Sequence, residues 1–167
     1  HRLKAPFVWL AIKGKCRVFI LNGLDPANVG ILLKEKVDEL WFNRILYPGE
    51  LQADTIAKVK RLGIKVVCDV DDHWELPKGH IAYNAWITYK MKENILQALS
   101  LADAVTCTHH RLKVEVEKVT KAPVSIIANA IDHSDNQFSM VRNYPNKPLV
   151  FGWQGSAAHI HDIEVMS

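Results

Sequence analysis

At 167 residues the chain has the length of one domain, taking about 100–200 residues per domain, and can bury a real core. Its 49% hydrophobic and 23% charged residues are the mix of a soluble globular protein. With 21 basic and 18 acidic side chains, the net +3 is too small to argue for nucleic acid or a membrane without a clustered patch. Lys58, Lys60, Arg61 and Lys65 come nearest to one, and they fit the exposed face and end of a helix.

In chain order the first predicted element is a short strand, Arg17 to Asn22, closed by Asn22-Gly23 and the turn-like Asp25-Pro26. Before it, the segment lacks the apolar core and cleavage site of a signal peptide. No apolar run reaches the ~18–20 residues of a membrane span, so a cytoplasmic location is expected. Val37 to Arg44 reads as a second strand, broken by Pro48-Gly49. Glu50 to Leu62 then carries Leu51, Ile56, Val59 and Leu62 at roughly helical spacing, with Gly63 as the cap.

The next apolar run is the most informative stretch. Val66-Val67-Cys68-Asp69-Val70 has the pattern of a buried parallel strand and stops in Asp71, Asp72, His73 and Trp74. The carboxyl end of such a strand is where open α/β sheets hold their ligands. A long helix from Tyr83 to Ala102, a strand from Ala104 to Thr108, a helix from His110 to Val119 and a strand from Val124 to Ile127 follow. This alternation predicts an α/β fold: a Rossmann-like parallel sheet with helices on both faces. Cys68 and Cys107 lie inside strand-like runs, and with Cys16 they form no CxxC, so buried thiols are expected rather than disulfides or zinc ligands.

From Asn129 to Pro148 the composition turns polar and proline-punctuated, as in a linker. Leu149 to Trp153 reads as a new strand, Gly155-Ser156 as a turn, and Ala157 to Met166 as a helix start. Residues 1–140 are therefore expected to form one domain, and residues 141–167 a linker with the first strand-helix unit of a second domain that stops short. Such a stub cannot bury its own apolar face, which implies packing on the first domain or a fragment.

Several residues in this order carry a resemblance. Asp69 to Pro77, the Ala102-Asp103-Ala104-Val105-Thr106 junction, Asn129-Ala130-Ile131-Asp132, and Gly152-Trp153-Gln154-Gly155-Ser156 with His159 and Asp162 resemble the GT-B glycosyltransferases related to the glycosyltransferase 1 and 4 groups. That resemblance implies two Rossmann-like domains facing a cleft, the first holding the acceptor and the second a nucleotide-sugar donor. It implies transfer of a sugar to an acceptor hydroxyl of a sugar, lipid or protein, with no bound cofactor or metal and no nucleic-acid partner, and it allows peripheral membrane association. Gly155 and Ser156 match the turn beneath the donor diphosphate, where a missing Cβ and a helix N-terminus favour phosphate. His159, one helical turn before Asp162, would help orient the donor. Ala128 stands where the family has proline before its hinge, and the acidic donor motif has no counterpart before the chain stops.

Beside the resemblance, the residues themselves assign a cleft role to Asp69, Asp71, Asp72 and His73, with His73 as a base toward an acceptor hydroxyl. Capping of the strand end is the plainer alternative for the carboxylates. Trp74 suits a sugar face or the core equally, His109-His110 a cleft rim or a helix cap, and Arg44 a phosphate or the balance of the acidic tip. His159 and His161, two apart, do not share a helix face and make a poor metal pair. Two other functions remain open. A strand followed by Asp69-Val70-Asp71 resembles the first motif of haloacid dehalogenase-type, magnesium-dependent phosphatases, with Asp69 as nucleophile, Asp71 as acid/base, and Thr106 or Thr108 as a second-motif hydroxyl. The chain also suits a non-catalytic glycosyltransferase-like binding module.

Overall fold

A computed structural model describes residues 2–24, 27, 29–46 and 51–130, with the side chain of Leu51 excepted. The predicted second-domain unit, and with it Gly155, Ser156 and His159, lies outside the described residues. Within them the order is α1 (Lys4–Ile12), α2 (Gly30–Lys34), β1 (Glu39–Asn43), α3 (Leu51–Arg61), β2 (Lys65–Val70), α4 (Tyr83–Thr88), α5 (Met91–Leu101), β3 (Ala104–Cys107), α6 (His110–Glu117) and β4 (Val124–Ile126). The four strands make one wholly parallel sheet in the sequential order β1-β2-β3-β4, so the class is α/β as the alternation predicts.

Register and pleat separate the two faces of the sheet. Phe42 pairs with Cys68, Cys68 with Val105, and Val105 with Val124, so these side chains share a face with Leu40, Val66, Val70 and Cys107. Onto that face pack Ile56 and Val59 of α3, Ile95, Ala98 and Leu99 of α5, and Leu112 and Val116 of α6, all buried. Leu24, Val29 and Leu32 complete the same core around α2.

The opposite face is more polar: Trp41 pairs with Val67, and Asn43, Asp69, Thr106 and Ser125 follow one another across the strands. Helix α1 reaches it, with the Phe7 ring edge-on to Trp41 at 5.1 Å. The sequence pattern does not predict α1. Pro6 is tolerated there because its missing N–H falls in the first turn, where donors have no intrahelical partner.

Two expectations are corrected. Arg17 to Asn22 is not a strand: the backbone carries no ladder, and Phe19, Ile20 and Leu21 are exposed. β-branched and aromatic residues favour extension, but a strand needs a partner edge at about 4.8 Å. Instead a cleft of about 750 Å³ lies between this segment and β1. The helix expected over Tyr83 to Ala102 is two helices, broken where Lys90 takes a left-handed φ of +48°. The Asn94 amide donates to the Tyr89 carbonyl at 2.9 Å, satisfying an acceptor that the break releases. The sequence pattern does not predict helix α2 either; the remaining strands and helices fall where it predicts, and Gly63, with φ +76°, ends α3 as a C-terminal cap.

Candidate functional site

The carboxyl ends of the strands gather Asn43 at the end of β1 and Arg44 after it, Asp71 to His73 after β2, Thr108 and His109 after β3, and Asn129 beyond β4. Parallel pairing aligns those ends, so a single edge receives them all.

Arg44 organises this edge. Its φ is +58°, rare for a long side chain, inside a three-residue turn closed by the Ile45 N–H on the Asn43 carbonyl at 2.7 Å. From there its guanidinium crosses to β2, with Nε 2.9 Å from Asp71 Oδ1 and an NH2 group 2.5 Å from Asp72 Oδ2. Of the two roles open to Arg44 in the sequence, the observed one is balance of the acidic tip. Burial pushes the Asp71 carboxyl up, but the Arg44 hydrogen bond and charge, with the Asn43 amide, outweigh it and hold the group below the ordinary carboxylate range. Asp71 is therefore an anion, and its carbonyl is tied to β3 by the Thr108 hydroxyl at 3.1 Å. Asp72 is the outward carboxylate, with 69% of its side chain exposed.

Asp69 belongs elsewhere. Its side chain is 1% exposed and points to the polar face rather than off the strand end. One oxygen accepts the Thr106 hydroxyl at 2.6 Å; the other accepts Arg2 Nε at 2.8 Å and the Asn43 amide at 3.1 Å. Arg2 also donates to Asn129 Oδ1 at 2.7 Å and to the Ile127 carbonyl at 2.6 Å. A nucleophile needs an accessible oxygen, and Asp69 offers none. Next to it, burial and the Asp69 charge push the Cys68 thiol up to about 12, although a backbone hydrogen bond with Arg44 acts the other way, so it is an inert core thiol.

His73 is exposed and stacks on Trp74 at 4.6 Å between ring centroids. Its Nδ1 accepts the Glu75 N–H at 3.0 Å, so the neutral ring carries its proton on Nε2 and presents a donor to solvent. Trp74 itself is buried in the core, and its carbonyl accepts the Trp86 indole N–H at 3.2 Å. Of the two roles weighed for Trp74, the core is the one observed. His109 caps α6, its Nδ1 accepting the Leu112 N–H at 3.2 Å, which is the helix-cap alternative.

Asp71, Asp72 and His73 thus stand together at the edge; Asp69, which shares the Asn43 amide with Asp71, is buried beneath them, and Asp103 does not join them. Asp103 lies at the other end of the sheet, where its carboxylate accepts the Val66 N–H at 2.9 Å and meets Lys60 at 2.7 Å. Burial pushes its carboxyl up, but these partners hold it below the ordinary range. Among the described residues no group of three or more His, Cys, Asp or Glu side chains is placed to hold a metal ion. Arg2 is the participant that sequence reasoning missed, because only tertiary packing carries it 67 residues along the chain to Asp69. Comparison of the chain with known protein families, curated proteins and solved structures returns no match.

Proposed function

We propose that the described domain is the acceptor side of a glycosyltransferase of GT-B type, which transfers a sugar from a nucleotide-sugar donor to an acceptor hydroxyl. The observation that carries the reading is the strained Arg44 turn, which holds Asp71 and Asp72 at the carboxyl edge of a parallel sheet and leaves Asp72 facing outward. Carboxylates accept hydrogen bonds only, and a polyol offers donors, so Asp71 and Asp72 suit hydroxyl-rich acceptors. His73 supplies the complementary donor from Nε2.

In this reading Asp72 takes the proton of the attacking hydroxyl, and His73 orients the acceptor. A base role for His73 would first require release of Glu75. Gly155, Ser156 and His159 would hold the donor diphosphate, as the resemblance implies, and the charge that develops on the leaving group would be met by backbone amides. The buried, fully bonded Asp69 gives the phosphatase alternative no support.

The test is release of nucleoside diphosphate from a panel of uridine and guanosine sugar nucleotides, with mono- and oligosaccharide acceptors. Asp72→Asn is expected to lower turnover by about 10²-fold or more, and Gly155→Trp to block donor binding in calorimetry. Metal-dependent phosphate release abolished by Asp69→Asn would overturn the proposal, and acceptor binding without any donor consumption would leave a binding module.

A further inference from the structure

Strand β1 ends the sheet with an open edge: among the described residues its neighbour in the ladder is β2 alone. The N–H and C=O of a strand residue point to the same side, and successive residues alternate. The Asp38 carbonyl accepts the Lys65 N–H at 3.0 Å and the Arg44 N–H donates to the Asp69 carbonyl at 2.8 Å, so Asp38, Leu40, Phe42 and Arg44 turn theirs toward β2. Glu39, Trp41 and Asn43 therefore aim their backbone groups the other way. The Asn43 carbonyl is used by the turn to Ile45, and the rest face the cleft beside β1.

That cleft, of about 750 Å³, has the extended segment from Arg17 to Leu21 as its far wall. The wall is held at both ends, because the Arg17 guanidinium donates to the Glu35 carbonyl at 3.1 Å and Leu24 is buried in the core. With a rise of about 3.3 Å, about 4.8 Å between strands and about 10 Å between layers, five residues of a strand occupy roughly 800 Å³. The cleft thus has room for one strand between two extended backbones. Leu24, Leu32, Leu40 and Phe42 line it from the core side, and Phe7 and Trp41 from the polar face of the sheet. Lys4, Lys15, Arg17 and Lys36 also line it, against Asp38 and Glu39. The Glu39 carboxylate is already engaged, by the Trp41 indole N–H at 2.8 Å and by Lys65 at 3.4 Å, so the cations outnumber the acid left to meet them.

We propose that this cleft is a docking site for an extended peptide segment of a partner protein, about five residues long, with acidic and β-branched side chains in alternation, which enters as an added strand on β1. The pleat of such a strand sends every second side chain onto Leu24, Leu32, Leu40 and Phe42, where β-branched residues pack, and leaves the others to meet the cations. Its backbone takes up the Glu39 and Trp41 groups on one side and those of the Arg17 to Leu21 segment on the other. A second copy of the chain fits less well, because its sheet edge would have to pass that segment to reach β1. The inference does not rest on the glycosyltransferase reading, whose carboxylates stand at the strand ends.

Fluorescence polarisation of the whole chain with an end-capped, fluorescein-labelled Glu-Val-Glu-Val-Glu peptide tests it. Saturable binding below about 1 mM peptide is expected, together with slowed hydrogen exchange of the Glu39 and Trp41 amides in NMR spectra. Methylation of alternate peptide amides, which removes ladder donors and leaves the charges, is expected to weaken binding by about tenfold or more. Lys15→Glu with Arg17→Glu, both exposed on the far wall, is expected to weaken it by about tenfold while circular dichroism stays unchanged. No saturable binding, equal binding of the methylated peptide, or equal binding of a Lys-Val-Lys-Val-Lys peptide would overturn the proposal. So would full protection of the Glu39 and Trp41 amides in the chain alone, which would show that the Arg17 to Leu21 segment closes on the edge, or their protection by dimerisation in sedimentation velocity.

Discussion

Arg44 holds its left-handed backbone while it binds two carboxylates, and strain of that kind persists where surrounding contacts over-determine it. Arg44→Met keeps the strained backbone and removes the charge, so it isolates the electrostatic part. Asp71 has a folded-state pKa below its unfolded value, so its stabilisation is fully present above the ordinary aspartate value of 3.8 and is lost as pH falls through the lower, folded value. Urea unfolding across that acid range is expected to show wild type more stable than Arg44→Met at neutral pH and the gap closing toward strong acid. The acidic run was legible in the sequence, because three carboxylates after an apolar strand exceed what a turn needs. The division of labour among them was not, since Asp69 lies inside β2 and Asp71 just past its end, and a different arginine meets each.

At the scale of elements, helix α3 shows what periodicity can and cannot report. Its apolar spacing identified Ile56 and Val59, both wholly buried. Gln52 is equally buried, and a polar residue in an apolar window reads as the solvent face. Its oxygen accepts the Leu46 N–H at 2.9 Å and its amide donates to the Asn94 carbonyl at 2.7 Å, joining the loop after β1 to α5. Gln52→Leu would strand both backbone groups and is expected to cost about 1–3 kcal/mol, read from denaturant midpoints. The break between α4 and α5 was illegible for a related reason: no Gly or Pro marks Tyr89-Lys90, and the Asn94 amide that satisfies the turn reaches back from the next helix.

Across the whole molecule, α1 and the extended segment after it stand apart from the core. The ring contact of Phe7 and the bonds of Arg2 tie α1 to the sheet; Lys13, the cap that ends α1, is exposed, as are Lys15 and Arg17 on backbone without helix or strand beyond Gly14. Limited trypsin digestion is therefore expected to cut early after one of these three, as mass spectrometry of the products would show, and to leave a core that still unfolds cooperatively. Early cuts within α3, α5 or β2 instead would show that the core depends on α1.

The sequence by itself determined the α/β class, the order of the four central strands along the chain and the presence of charge at the end of β2, because hydrophobic period and turn residues are local properties. Tertiary structure decided that Arg17 to Asn22 stays outside the sheet, that Asp69 is a buried partner of Arg2 and Thr106, and that α1 lies with Trp9 and Ile12 outward. Those outcomes depend on which edge a strand meets and which distant side chain reaches a charge, and pairings across 67 residues leave no periodic trace in the chain.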